Sequence, residues 1–245
     1  MLAESARLYD RLLAGHAFAF TEAATTSTAQ HYLADYYDRT AIPALALAQA
    51  DHEAGLLSDY QTSRIAHSAW ALTEDLEAVV EDELASASDV PPENAEAPLV
   101  TNGILDGLGH RIAVMGARTG LDDAAANMLS QALRAEGARS LALPHRSQVP
   151  FALGDLDPGT IILVSLDAAP PRSVDFQIRQ LRRRLPGIRI GLALWPAGTD
   201  APAPAQGSAD FLALGMEETL AAAFDRKAKV TGQTDKPASS PARTS

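Results

Sequence analysis

The chain of 245 residues contains no cysteine, which rules out disulfides, thiolate metal sites and cysteine nucleophiles and fits a reducing compartment. Lysine is almost as scarce. Lys227, Lys229 and Lys236 are the only ones, and all lie beyond Phe224. Chemistry that needs a lysine inside the folded body is therefore unavailable, and with it the phosphate-binding P-loop. Aromatic residues make up only 5%, while alanine and leucine are abundant, a composition that predicts helices packed through small side chains. No apolar run reaches the roughly 20 residues that span a bilayer. The N-terminus carries Glu4 and Asp10 and has no basic region followed by an apolar one, so it does not read as a signal peptide. The reading is a cytoplasmic protein. The net charge of −11 disfavours nucleic acid and anionic membrane as partners.

The first part of the chain reads as helices. "ESARLYDRLLAG" sets Leu8, Leu12 and Leu13 at helical spacing. "TEAATTSTAQHYLADYYDRT" is a weaker helical stretch. "AIPALALAQADHEAG" places Pro43 at a helix start and Gly55 at its end. "SDYQTSRIAHSAWALTEDLEAVVEDELA" opens on Ser58 as an N-cap and carries an apolar stripe including Ile65, Leu72 and Leu76. These segments predict a four-helix-type bundle over residues 1–85, followed by an acidic, proline-bearing linker over 86–108.

From His110 the period changes. "RIAVMGA", "RSLALP", "TIILVSL", "IRIGLALW" and "ADFLALG" are short apolar runs separated by helical or loop segments. Near-continuous apolar strands alternating with helices predict a five-stranded parallel sheet covered on both faces. Its size over residues 109–228 is flavodoxin-like. Residues 229–245 are polar and low in complexity, and read as a disordered tail. Ligands of such sheets bind beyond the carboxyl ends of the strands, at the topological switch point. "GARTGLDDAAANML", residues 116–129, begins at one of those ends.

That loop offers Gly116 and Gly120, but Asp122 and Asp123 would repel a phosphate and instead complement the dipole of a helix N-terminus. A phosphoacceptor reading of Asp167 fails for want of paired acids after the first strand and a lysine after the last. The six histidines show no metal-ligand spacing, so solvated or capping roles are the better reading. Ser165 has no nucleophile elbow. Arg179, Arg182, Arg183 and Arg184 crowd one helix whose Ile178, Leu181 and Leu185 face the sheet. They read as a solvated face or as a docking surface for an acidic partner, including the chain's own acidic helix "TEDLEAVVEDE".

A bundle, a linker and a flavodoxin-like sheet resemble the cobalamin-binding modules of methyltransferases and of photoreceptor or MerR-type regulators. That family carries D-x-H-x-x-G after its first strand. Aligned on Asn127 and the following Met-Leu, Asp122 falls at the histidine, Gly120 at the aspartate and Ala125 at the glycine. Ser165 falls at the serine of the family's S-x-L strand end, and Gly191 and Leu192 at its paired glycines. In the bundle, His52 stands at the tryptophan of a W-x-x-G segment and Ser63-Arg64 at a Glu-His pair. By this resemblance Gly116, Gly120, Asp122, Ser165 and Gly191 line any ligand site, while no lower axial ligand to cobalt remains.

In texture, "YDRTAIPALALAQADHEAGLLSD" and "HRIAVMGARTGLDDAAANMLSQAL" resemble the soluble C-terminal region of autoinducer-2 exporter (PerM-type) permeases. The two resemblances imply a non-enzymatic regulatory or interaction module that resembles a cobalamin-binding domain without the histidine. It would need no cofactor and would work beside a membrane permease or another acidic protein surface, at the inner face of the membrane. Arg182, Arg183 and Arg184 are its expected contact residues. The alternative is a sensor of cobalamin or another small ligand that binds without a histidine axial ligand.

Overall fold

The computed structural model describes residues 2–15, 29–88, 107–147, 149, 151–167, 172–197 and 208–225. The predicted tail at 229–245 lies outside these, as does most of the predicted linker. The helix before that linker runs on to Ser88.

The helical part comprises α1 (Leu2–Ala14), α2 (Ala29–Tyr36), α3 (Ile42–Glu53) and α4 (Asp59–Ser88). Two of the predicted helices run on as one rod. Between α2 and α3 the chain passes through a π-helical turn, Tyr37–Ala41, and Tyr36, Ala41 and Ile42 all keep right-handed helical dihedrals. Pro43 explains the local widening. It has no N–H to give, and its ring would clash with the carbonyl four residues back, so the wider turn carries the helix past it. The rod ends as the sequence predicts. Gly55 has φ +73°, Leu56 N–H donates to Asp51 O at 2.8 Å, and Gly55 N–H donates to His52 O at 3.0 Å. At the start of α4, Ser58 and Gln61 form a reciprocal cap: Ser58 N–H donates to Gln61 Oε1 at 3.0 Å, and Gln61 N–H to Ser58 Oγ at 3.4 Å.

The second half alternates strands and helices. Strands β1 (Arg111–Gly116), β2 (Arg139–Leu143), β3 (Thr160–Ser165), β4 (Arg189–Leu194) and β5 (Phe211–Ala213) pair in parallel in the order β2-β1-β3-β4-β5. This is the flavodoxin-like α/β sheet that the five apolar runs predict, and its switch point lies between β1 and β3. Three helices serve it: α5 (Gly120–Ala135), α6 (Arg172–Arg184) and α7 (Met216–Ala223). A short 3-10 turn at Phe151–Leu156 lies between β2 and β3.

Alternation along the strands divides the apolar residues into two cores. Ile112, Val114, Ile162 and Val164 point to one side; Ala113, Met115, Ile161 and Leu163 point to the other. The first side is the thicker, because α5 lies on the sheet and the N-terminal helices lie on α5. Helix α5 is thus a middle layer, which its sequence allows: Ala124, Ala125, Ala126 and Ala132 are all buried, and only such small side chains let a helix approach neighbours on both sides. Leu45, Ile65 and Leu72 of the helical part share this core with Met128 and Leu133 of α5. Two polar contacts fix the stack. Tyr37 Oη donates to Gln131 Oε1, and Gln131 Nε2 donates to Thr73 O at 3.0 Å. Asp38, in the π turn, accepts from Met216 N–H at 2.6 Å and so caps α7, whose own N-cap residue, Gly215, has no side chain to do it.

Helix α6 lies on the opposite face, where Val174, Ile178 and Leu181 join the second core. Among the described residues the ion-paired arginine of α6 takes a partner other than the acids of α4: Arg182 pairs with Asp210 at 2.8 Å. Glu77 of α4 pairs instead with Arg134 of α5 at 2.9 Å.

Candidate functional site at the carboxyl edge of the sheet

The segments that leave β1 and β3 meet at the switch point. The ladder continues one step beyond the strands, with Ala117 N–H donating to Val164 O and Trp195 N–H to Ser165 O, both at 2.8 Å. Asp122 sits at the centre. Its Oδ2 accepts from Arg118 N–H at 3.0 Å and Thr119 N–H at 2.9 Å, and its Oδ1 accepts from Leu166 N–H at 2.9 Å. Thr119 Oγ1 in turn accepts from Asp122 N–H at 3.1 Å, which completes a capping box at the start of α5. Asp122 is fully buried. Burial pushes its carboxyl above the usual range, against the three backbone donors that favour its charge.

Around this centre lies a polar cluster that ties the helical layer to the sheet. Arg118 donates to Asp167 Oδ1 and to Glu53 Oε1, both at 2.7 Å. Gln49, buried on α3, donates to Asp167 Oδ1 at 3.1 Å and Glu53 Oε1 at 3.2 Å, and accepts from Thr119 Oγ1 at 3.3 Å. Asp167 Oδ2 is buried and has no hydrogen-bond partner. Burial pushes the Asp167 carboxyl up to about 6, helped by its hydrogen bond with Glu53 and the charge of Asp122 and opposed by Arg118. Glu53 moves the other way. Burial pushes it up, but hydrogen bonds with Asp167, Gln49 and Arg118 outweigh that and hold it below the usual range.

A second pair lies one strand away. Asp123 accepts from His145 N–H through Oδ1, and its Oδ2 lies 2.7 Å from His145 Nδ1. The pair stitches the loop after β2 to the start of α5. Asp123 Oδ1 lies where a Cβ on Gly116 would project, so Gly116 must be glycine for the carboxylate to reach His145.

Of the residues expected to line a ligand site, Gly116, Asp122 and Ser165 meet at the switch point. Ser165 Oγ is buried and accepts from Asp167 N–H at 3.3 Å. Gly120 is exposed at the first position of α5, with Ala66 of α4 the nearest neighbour to its side-chain position. Gly191 stands apart from them. It lies within β4 rather than at its end, opposite Phe211 of β5, whose ring covers it. Arg189 stacks on the same ring, 4.7 Å from its centroid. The glycine exists to admit this ring, so Gly191→Ala is expected to cost about 1–3 kcal/mol by overpacking. Thermal or denaturant unfolding of the variant measures it.

The arginines of α6 fall at the opposite end of the molecule. Helix α6 returns from the end of β3 to the start of β4, so its last turn lies at the amino edge of the sheet. Arg182 donates to Ser208 O and Asp210 Oδ1, both at 2.8 Å, and Arg184 to Val149 O at 3.1 Å. Arg179 and Arg183 are exposed.

Sequence reasoning misses the roles of Arg118, Gln49 and Glu53. The available signal is that Gln49 and Glu53, within "PALALAQADHEAG", stand one turn apart on one face of α3. It also reads His145 as solvated or capping, where the structure gives it a carboxylate partner. Among the described residues no group of three histidines or acids is placed to hold a metal ion, and no helix is long and apolar enough to cross a membrane. No protein-family model matches the sequence, and no curated protein does.

Both oxygens of Asp122 are taken by backbone donors, Gly191 is covered by Phe211, and α3 is pinned over the edge through Gln49 and Glu53.

Proposed function

We propose that the chain is a non-enzymatic regulatory or interaction module that keeps the scaffold of a cobalamin-binding domain without its histidine, and that works beside a membrane permease. One observation carries the reading. Asp122, at the position that the resemblance assigns to the histidine, is spent entirely on internal structure, holding the loop after β1, the start of α5 and the end of β3 together. Both of its oxygens are engaged by backbone donors, which leaves little of the carboxylate for a ligand.

The contact surface is then the amino edge and α6, where Arg179 and Arg183 are exposed beside the anchored Arg182 and Arg184. Guanidinium groups suit an acidic partner because each can bind a carboxylate through two donors.

The experiment has two arms. Purified protein is mixed with hydroxocobalamin and adenosylcobalamin and passed through gel filtration. The reading expects a colourless protein, and a stoichiometric red complex would defeat it. In the second arm, Arg179→Glu/Arg183→Glu is compared with the wild type for co-purification with a permease from the native membrane. The charge reversals are expected to abolish the association while leaving unfolding unchanged.

A further inference from the structure

Helix α6 turns one row of residues straight out to solvent. Arg172, Phe176, Arg179 and Arg183 follow one another at steps of four, three and four residues, and all are exposed. At about 100° per residue they fall within one narrow stripe. Val174, Ile178 and Leu181, which enter the second core, lie on the other side of the helix.

Phe176 is 51% exposed, whereas Phe211 and Phe224 are buried. A lone apolar residue at the surface needs no explanation. This one is bracketed by cations along its own helix. The protein carries 31 acidic residues against 20 lysines and arginines, yet Arg172, Arg179 and Arg183 make no ion pair or hydrogen bond among the described residues. Asp175, the only acid on α6, does not pair with them. Arg182 and Arg184, on the flanks of the helix, are by contrast taken up internally.

We infer that this row is the seat of an acidic amphipathic helix, with Phe176 as its apolar anchor. The inference rests on the reading of α6 as the contact surface and names the chemistry of the partner there. From Arg172 to Arg183 the row covers three turns, about 16 Å. A partner helix laid along α6 repeats its side chains at the same three- and four-residue spacing. Acids on its flanks then reach each guanidinium while its apolar seam covers the ring. A carboxylate can accept two N–H bonds from one guanidinium, and aromatic and arginine side chains are the usual material of binding hot spots. A membrane surface fits less well. Helix α6 gives its broad apolar face to the sheet, which leaves a single ring to insert, and the net charge of −11 repels anionic lipid.

The test uses the full chain and a labelled, capped synthetic helix of about 18 residues, with a leucine seam flanked by glutamates, followed by fluorescence anisotropy. The glutamate peptide binds saturably and loses affinity as salt rises. Its glutamine counterpart binds at least about tenfold more weakly, since the charged half of each pair is gone. Phe176→Ala and, separately, Arg172→Gln/Arg179→Gln/Arg183→Gln each weaken the glutamate peptide about tenfold or more. The three arginines make no internal contact, so the triple variant keeps the wild-type unfolding curve and decides the matter should Phe176→Ala fold poorly. The inference is overturned if the two peptides bind alike, or if either folded variant binds the glutamate peptide as the wild type does. It is also overturned if vesicles of phosphatidylcholine and phosphatidylserine bind with the same dependence on Phe176 and the arginines. Self-association in sedimentation that Phe176→Ala abolishes would make a second copy the occupant and overturn it likewise. The permease reading fails separately: no permease co-purifying with a wild type that binds the peptide removes that reading alone. Co-purification that Arg179→Glu/Arg183→Glu abolishes and Phe176→Ala does not removes the present inference alone.

Discussion

Asp167→Asn is expected to make the protein more stable at neutral pH, by about 1–3 kcal/mol, and to remove part of its dependence on pH. The cause is the position of the Asp167 midpoint near 6, against 3.8 for an unperturbed aspartate. In the folded state this carboxyl holds its proton more tightly than in the unfolded chain. Between roughly pH 6 and pH 4 the native form therefore binds more protons, and stability rises as pH falls through that window. Above pH 6 the folded protein carries the full cost of an ionised, buried carboxylate with one oxygen unpartnered. A midpoint raised this far corresponds to a cost of about 3 kcal/mol at most. Asparagine removes the charge but keeps an oxygen for Arg118 and Gln49, which is why the change is expected to stabilise rather than to break the cluster.

Chemical denaturation of wild type and variant at several pH values checks this. The two curves should converge toward pH 4 and separate above pH 6. Glu53 acts in a different window. Its midpoint is lowered, so its contribution is present above the unfolded value of 4.5 and is lost only below it, as pH falls through the folded midpoint. The buried Asp122 moves in the same direction as Asp167 and is present in both proteins, so some slope remains in the variant. A variant less stable than wild type at neutral pH would mean that the Asp167–Arg118 ion pair outweighs burial.

That a buried carboxylate should cost stability cannot be read from "IILVSLDAAPP". What the sequence carries is local: five apolar runs, a proline at a helix start, a glycine at a helix end, a serine cap. The apolar runs, the glycine at the helix end and the serine cap are found, because each depends on backbone preference and alternation within a few residues. The π turn before Pro43 shows the limit of that logic. The proline announces a helix boundary, but the Leu33, Tyr36 and Ile42 side chains all lie in one core, and packing carries the helix through the point where local preference would end it.

The candidate site is legible only in part for the same reason. Asp122 and Asp123 stand side by side, and the sequence presents them together as acids complementing a helix dipole. The structure separates them, because adjacent helical positions face about 100° apart. Asp122 turns inward to the end of β3, and Asp123 turns to His145 on the far side of β1. Which acid meets which partner depends on the strand order, and a single sequence without that order cannot supply it. Gln49 and Glu53 are invisible as site residues because their partners lie more than sixty positions away.

Asp122→Ala is expected to be the most damaging single change at this edge, lowering stability by about 3–5 kcal/mol. Three backbone N–H groups, of Arg118, Thr119 and Leu166, lose their acceptor at once, and Leu166 is buried with no water to replace it. The Thr119 N–H among them is one half of the capping box, while the other half, Asp122 N–H to Thr119 Oγ1, does not need the Asp122 side chain. Asp122→Asn separates these contributions. Its carbonyl oxygen can still accept from Leu166 N–H, but its amide group would face the N–H donors of Arg118 and Thr119, donor against donor. It should therefore fall between wild type and alanine in an unfolding experiment. Asp122→His bears directly on the resemblance to cobalamin modules. If the loop were still a ligand loop, restoring an imidazole would leave the fold intact and confer colour on incubation with hydroxocobalamin. If Asp122 is the structural centre described above, the imidazole can neither accept three N–H bonds nor fit a fully buried site shaped for a carboxylate, and the variant should unfold about as readily as the alanine one, without binding. A folded, red Asp122→His protein would show that the edge still opens to a corrinoid and would return the chain to the ligand-binding class.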